Sequence, residues 1–184
     1  KEAIKMFFDE IPLLVKKMEI DNIDMQRLKN HIDTNETADM IREQLKSKGL
    51  CSFVVNGAML PRRSGVDDRP LLDGIKFYSP KSMEVSLELP NGKKLTGMGI
   101  KKGITIITGG GFHGKSTLLS AIEKGVYNHI PFDGREYVIT DYDAVKIRAE
   151  DGRGINNVDI SPFINNLPYN KDTKEFFTEN ASGS

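Results

Sequence analysis

Residues 109–116 read Gly-Gly-Gly-Phe-His-Gly-Lys-Ser and match the pattern G-x-x-x-x-G-K-[ST], which constrains the fold of this chain more than any other feature. Glycines at this spacing allow several backbone N–H groups to point into one concavity, and a helix that starts near Gly114 adds the positive end of its dipole. Lys115 can then reach the β- and γ-phosphates of a nucleotide, while the Ser116 hydroxyl supplies a ligand for Mg²⁺. The pattern predicts a cradle for the triphosphate of ATP or GTP.

The residues on either side of the motif predict the elements that such a cradle needs. Residues 103–108, Gly-Ile-Thr-Ile-Ile-Thr, are a short β-branched run typical of a buried parallel strand. Residues 114–124 follow as a helix, which Gly125 is positioned to end. A strand, a glycine-rich turn and a helix in this order predict an α/β fold of the P-loop type.

The composition is that of an ordinary globular protein, with 38% hydrophobic and 28% charged residues. The formal net charge is zero, so no global charge attracts the chain to nucleic acid or to acidic membranes. One cysteine, Cys51, excludes an intramolecular disulfide and suits a reducing compartment. No apolar run approaches the roughly 20 residues that span a bilayer, and no signal-peptide pattern is present. We expect a cytoplasmic protein without a membrane partner, and the absence of an initiating Met predicts that the sequence begins inside a longer protein.

Helical patterns dominate the first fifty residues. Apolar residues recur at helical spacing over residues 1–19, and Asp24 is a candidate cap of a second helix. Thr34 or Asn35 is a candidate cap of a further helix, which Gly49 ends. These stripes predict packing faces.

Strands and turns follow. Residues 83–89 alternate apolar and polar side chains, Pro90-Asn91-Gly92 turns the chain, and residues 95–100 return it, which predicts an antiparallel β-hairpin. Further predictions are a strand at residues 51–55, a strand at 136–141 and a second hairpin of residues 144–149 and 155–160. The predicted domains are a helical N-terminal region with a strand at 1–60, a loop or joint at 61–75 and an ATP-binding P-loop core at 76–184.

A nucleoside triphosphatase also needs an acidic group beside Mg²⁺, a residue that positions water and a cation for the transition state. Residues 137–141, Tyr-Val-Ile-Thr-Asp, resemble an apolar strand that ends in such an acid, which makes Asp141 a candidate Mg²⁺ ligand. The imidazole of His113 either points outward or contacts phosphate directly. A small-molecule kinase that uses Asp141 for Mg²⁺ is another interpretation, although no pattern indicates a pocket for a phosphoacceptor.

Two stretches of the sequence carry a family resemblance. They are Gly97-Met-Gly-Ile-Lys-Lys-Gly-Ile-Thr-Ile-Ile-Thr-Gly-Gly-Gly-Phe-His-Gly-Lys-Ser-Thr-Leu-Leu119 and Asp159-Ile-Ser-Pro-Phe-Ile-Asn-Asn-Leu-Pro168, with support upstream from Leu60-Pro-Arg-Arg-Ser-Gly-Val66. Through these segments nearly the whole chain closely resembles the predicted ATPases of the ABC class. Those proteins are soluble and distinct from the membrane transporters.

The resemblance implies an ABC-like ATPase core that binds ATP and Mg²⁺. The implied ATP site consists of Gly109, Gly110, Gly111, Phe112, His113, Gly114, Lys115, Ser116 and Thr117. Residues Ser182, Gly183 and Ser184 look like the start of the family's signature loop, which in ABC-type dimers faces the γ-phosphate of the opposite subunit. The resemblance therefore implies a head-to-tail homodimer.

The chain also departs from the ABC pattern. No glutamine follows Gln44, so Asn165 or Asn166 would have to take the place of the usual glutamine between the phosphate loop and the signature. The Asp-Glu strand and the switch histidine should follow the signature, after Ser184. The core is thus expected to be incomplete at its C-terminus, with hydrolysis only in the complete, dimerised protein and little activity from this chain alone.

Two further expectations concern recognition. In ABC proteins an aromatic residue before the phosphate-loop strand often stacks on adenine, and Phe77 and Tyr78 are the candidates. The alternative function is a nucleic-acid-binding module with a regulatory nucleotide site, because soluble ABC-type ATPases commonly act on RNA or DNA assemblies. The basic residues that would serve it are Lys93, Lys94, Lys101 and Lys102, with Arg62 and Arg63 as further candidates for a role near phosphate.

Overall fold

The computed structural model describes residues 2–19, 22–108, 113–147, 152–162, 164, 166–167 and 172–181, with the backbone alone for 180 and 181. The chain divides into two compact units, Lys1–Ala144 and Val145–Ser184.

The first unit begins with three short helical segments that run into one another. They are Glu2–Lys5 (α1), a π-helical turn at Met6–Glu10 and Ile11–Lys17 (α2). Pro12 lies in the first turn of α2, where its missing N–H costs nothing. The helical pattern predicted for residues 1–19 is confirmed, but the described side chains of this segment are exposed.

The next helix, Met25–Ser47 (α3), is continuous over 23 residues. Asp24 caps it as predicted, because its Oδ1 atom accepts a hydrogen bond from the Arg27 N–H at 3.0 Å. The prediction of a separate helix capped by Thr34 or Asn35 is wrong. Thr34 is buried inside α3, and the Asn35 side chain accepts a hydrogen bond from Asn128 at 2.7 Å, so its tertiary contact replaces the capping role.

A four-stranded antiparallel sheet forms the centre of the first unit. Its strands are Leu50–Val55 (β1), Glu84–Glu88 (β2), Lys94–Lys101 (β3) and Val138–Thr140 (β4). Their order across the sheet is β2-β3-β1-β4. The predicted β2–β3 hairpin is confirmed, with Leu87 opposite Leu95. The domain division at 1–60, 61–75 and 76–184 stays a prediction, although β1 lies between two strands that come from the third segment.

Helices cover the two faces of this sheet. On one face, α3 packs through Ala38, Ile41 and Leu45 against a core that includes Phe53 and Ile139. On the other face, the helix Lys115–Lys124 (α4) packs through Ala121 against a core that includes the β1 and β4 residues Val54 and Val138. Neighbouring residues of β1 therefore serve opposite cores, as the alternation of a strand requires. The layers helix, sheet and helix agree with the predicted α/β class.

Residues 104–108 do not form the strand that their β-branched sequence predicts. β3 ends at Lys101, and Gly103 follows with φ at 117°, a conformation that favours glycine and turns the chain out of the sheet. Ile104 is 97% exposed and Ile106 is 64% exposed. Side chains of this kind favour strands through packing against neighbouring strands. No strand among the described residues pairs with this segment, which explains the difference.

The second unit contains two antiparallel strands, Arg153–Val158 (β5) and Phe176–Ala181 (β6). The described residues do not form the predicted hairpin of 144–149 with 155–160, since 144–147 form no strand and β5 pairs with β6, with Ile155 opposite Thr178. Residues 148 and 149 of this prediction lie outside the described residues. A strand-like pattern in residues 144–149 does not decide whether β5 pairs with that segment or with another strand.

Candidate phosphate site at the start of α4

The first turn of α4 has the local geometry of an anion site. Gly114 directly precedes the helix with φ at 79° and ψ at 6°, a left-handed conformation that glycine adopts without strain. Its carbonyl accepts the first helical hydrogen bond, from Leu118 N–H at 2.9 Å. The N–H groups of the first turn have no acceptor inside a helix, and the dipole adds positive potential there. This end of α4 is suited to bind phosphate.

Some of the residues predicted for the phosphate site lie in this turn. Lys115 and Ser116 are the first two residues of α4, with Lys115 half-buried and Ser116 exposed. His113 is also exposed, as expected if its imidazole points outward. Thr117 is half-buried in the same turn. The remaining predicted cradle residues, Gly109, Gly110, Gly111 and Phe112, lie outside the described residues, so the complete site stays a prediction.

Asp141 lies at the other end of α4. Its neighbour Thr140 donates a backbone hydrogen bond to Gly125 O at 2.9 Å, and Gly125 follows the last residue of the helix. The helix rises about 14 Å over its ten residues, so this end is far from Ser116. Asp141 also forms an ion pair with Lys102, with 3.8 Å between Nζ and Oδ2. Its role as a Mg²⁺ ligand stays a prediction, and the helix geometry disfavours a metal ion shared with Ser116.

The signature-like residues Ser182, Gly183 and Ser184 lie outside the described residues, directly after the end of β6. Of the adenine-stacking candidates, Phe77 packs against the core on the α4 face of the sheet, whereas Tyr78 is exposed. Tyr78 is therefore the more accessible of the two rings for stacking.

Arg62 serves an internal ion pair instead of a phosphate. Its Nη2 lies 2.6 Å from Asp133 Oδ2, and its Nη1 donates to Asp133 O at 2.7 Å. His129 Nδ1 lies 2.9 Å from the same Oδ2 atom. Burial raises the pKa of Asp133, but the hydrogen bonds from His129 and Arg62 outweigh this effect and hold the pKa below its usual range. The loop at 61–75 is thereby fixed to the segment that follows α4.

Replacing Asp133 with asparagine is expected to lower the free energy of unfolding by about 2 kcal/mol at pH 7, because Arg62 keeps its buried charge but loses its carboxylate. The folded-state pKa lies below that of a free aspartate, so the carboxylate stabilises the fold above about pH 4. This contribution disappears as the pH falls through the folded-state pKa. Urea unfolding from pH 3 to 7 should show the two proteins converging in acid, while the exposed Asp73→Asn variant stays close to wild type throughout. A constant difference at all pH values would contradict the role of the Asp133 charge.

The lysines proposed for nucleic acid do not form one patch. Lys94 and Lys101 are the two ends of β3 and therefore lie about 24 Å apart. Lys94 forms an ion pair with Glu88 at 3.4 Å, and the Lys93 ammonium donates to Thr37 Oγ1 at 3.2 Å. With the Lys102–Asp141 pair, three of the four side chains already have partners. The alternative function gains no support from this surface.

Arg42 is not among the residues predicted from the sequence. This side chain is 6% exposed and lies in the apolar stripe of α3, four residues after Ala38 and three before Leu45. It donates hydrogen bonds to carbonyl oxygens at the end of α4 and at the end of β4. An arginine at a core position of an amphipathic helix was the signal that could have identified it, since such a charge needs buried partners.

Among the described residues, no group of three or more His, Cys, Asp or Glu side chains could hold a metal ion. None of the helices in the described part of the chain has the length and hydrophobicity needed to cross a bilayer.

Comparisons with known proteins agree with the geometry at α4. A sequence model of the ABC_ATPase family, which represents its P-loop domain, matches residues 24–184. An uncharacterised protein of Methanocaldococcus jannaschii is 34% identical over 180 residues, an alignment that covers 91% of this chain and 39% of that protein. The chain thus spans about two fifths of the length of this relative. Since the family match extends over most of the sequence and includes the motif that leads into α4, the chain belongs to the ABC_ATPase family of P-loop proteins.

Proposed function

We propose that this chain binds Mg-ATP at the start of α4 and forms the nucleotide-binding part of an ATPase. The observation that carries the proposal is the left-handed Gly114 directly before a helix that begins with Lys115 and Ser116. A cation, a hydroxyl and the positive end of a helix dipole converge there, which is the combination that a triphosphate with its metal ion requires.

The residues at this turn fit a Mg²⁺ ion. Ser116 is exposed in the first turn, so its hydroxyl can coordinate a metal ion that also contacts the nucleotide. When bound, Mg²⁺ neutralises charge on the β- and γ-phosphates. Lys115 holds the same phosphates from the helix side, and Gly109–Phe112 complete the cradle with backbone N–H groups.

Hydrolysis is proposed for the complete protein as a head-to-tail homodimer. In this arrangement Ser182, Gly183 and Ser184 of one subunit approach the γ-phosphate held by the other. The support for this step is the resemblance of these residues to an ABC signature loop, together with membership of the family. The acidic Mg²⁺ ligand beside Ser116 is not assigned to Asp141, because of its place at the far end of α4.

The Ser116→Ala variant tests the proposal. The loss of one contact to a charged group is worth about 1.5 kcal/mol, so the affinity for ATP should fall roughly tenfold when Mg²⁺ is present. In EDTA the variant and wild type should bind ATP equally, because the hydroxyl acts through the metal ion. Isothermal titration of ATP in both buffers measures the difference.

Ser120→Ala is the matched control, since Ser120 lies in the same helix one turn further from the phosphate end. It should bind ATP as wild type does in both buffers. Equal affinities of Ser116→Ala and Ser120→Ala in Mg²⁺ would refute the assigned role of Ser116.

A further inference from the structure

Arg42 joins three elements through its guanidinium group. Its Nη2 donates to Gly125 O at 3.2 Å and to Val126 O at 3.4 Å, both just beyond the end of α4. Its Nε donates to Thr140 O at 3.2 Å, at the end of β4. Carbonyl groups at the end of a helix lack N–H donors within it, and a cation there also interacts favourably with the helix dipole. Arg42, which belongs to α3, therefore caps the C-terminal end of α4.

The orientation of the guanidinium is fixed from its other side. Nη1 donates to Asn128 Oδ1 at 2.7 Å, to Tyr142 Oη at 3.0 Å and to Asp39 Oδ1 at 3.2 Å. The Tyr142 ring lies beneath the group, with 4.1 Å between Cζ and the ring centroid. The planar guanidinium group can donate to all of these partners in only one orientation, and the ammonium group of lysine cannot reproduce these contacts. Arg42 thus links α3 to the end of α4 in one defined geometry.

The nucleotide site and the Arg42 contact lie at opposite ends of the same helix, α4. The helix has ten residues, carries Lys115 and Ser116 at its start and receives Arg42 at its end. A short helix packed on a sheet moves as a rigid body, so a shift at one end displaces the other. We infer that Arg42 is a positioning residue that couples α3 to the nucleotide site, an inference that rests on the proposed function.

The coupling has a reciprocal consequence. If the placement of α4 by Arg42 favours nucleotide binding, nucleotide binding stabilises the contact of Arg42 with α4 by the same free energy. Amides of α3 around Arg42 should then exchange hydrogen more slowly when Mg-ATP is bound. Helix α3 would thereby respond to the occupancy of the nucleotide site.

Arg42→Met in the full-length protein tests this inference, with Arg135→Met as the matched control. Arg135 is also buried, at 2% exposure, but its hydrogen bonds go to Leu60 O and not to α4. Both variants should lower the unfolding temperature. Only Arg42→Met should weaken binding of Mg-ATP, by about tenfold, and abolish the slowing of exchange in α3. Arg42→Lys should restore only part of the affinity, because it keeps the charge without the fork.

The result that would overturn the coupling is equal affinity of Arg42→Met and Arg135→Met, with binding that still depends on Lys115. Slowed exchange of α3 in Arg42→Met, equal to that in wild type, would also overturn it. Binding of Mg-ATP that Lys115→Ala leaves unchanged would instead remove the proposed function, and the inference with it. The Lys115→Ala variant thus distinguishes a failure of the coupling from a failure of the proposed nucleotide binding.

Discussion

Replacing Lys115 with alanine is expected to weaken binding of Mg-ATP by about 100-fold, because loss of a desolvated charge contact costs roughly 3 kcal/mol. Lys115 is the first residue of α4 and is half-buried, at the end of the helix where the dipole also attracts phosphate. Titration calorimetry of the full-length protein with Mg-ATP measures the change, and circular dichroism checks that the fold persists.

Lys124→Ala provides the control for charge. Lys124 is the last residue of the same helix, and its ammonium lies 2.8 Å from Asp68 Oδ2 in a solvent-exposed ion pair. Such pairs contribute little to stability, so the affinity of Lys124→Ala for Mg-ATP should stay within about twofold of wild type. If Lys115→Ala binds as tightly as Lys124→Ala, the phosphate site at the start of α4 is wrong.

Features whose signals are local could be predicted from the sequence. Asp24 caps α3 through a hydrogen bond to a residue three positions away. The turn at Pro90-Asn91-Gly92 joins strands that pair directly, with φ at 81° for Gly92. The start of α4 follows from Gly114, whose left-handed conformation few other residues tolerate. In each case the deciding interaction spans only a few residues.

The partners of the strands could not be predicted in the same way. β1 lies between β3 and β4, although the sequence places its residues in a separate N-terminal region. β6 is the partner of β5, and residues 104–108 have none among the described residues. Pairing is decided by which surfaces meet in the folded chain, and a pattern of alternation is compatible with many partners.

The candidate site shows the same difference between local and long-range interactions. Lys115 and Ser116 could be proposed from the sequence because the motif is contiguous. Arg42 was missed because its acceptors, Gly125 and Thr140, are distant in sequence and come together only when α3 and α4 cover opposite faces of one sheet. Asp141 ends an apolar run as an acidic Mg²⁺ ligand does, but the run pairs with β1 and ends beside the C-terminal end of α4, away from Ser116.

Gly97→Ala is expected to have the largest effect on stability, with a loss of about 3 kcal/mol or more in the free energy of unfolding. Gly97 lies in β3 opposite Val55, and an added Cβ would overlap the Val54 carbonyl oxygen and lie 2.7 Å from Val55 Cα. Both obstacles are backbone atoms of the central strand, so no side-chain rotation relieves the overlap. Urea unfolding measures the loss, and a variant that is already unfolded in buffer meets the expectation.

Alanine variants of two other glycines distinguish the effect of crowding from the general effect of adding a methyl group. At Gly99 an added Cβ would lie 2.9 Å from Val85 Cγ2 and 3.0 Å from Leu50 Cδ2, which are side-chain atoms that can move. Gly99→Ala should therefore cost only about 1 kcal/mol. At Gly65 an added Cβ meets no atom within 4 Å, and the variant should stay within about 0.5 kcal/mol of wild type. Equal stability of the Gly97 and Gly65 variants would mean that β1 and β3 do not approach each other in this register, because only their close backbone contact makes position 97 intolerant of a side chain.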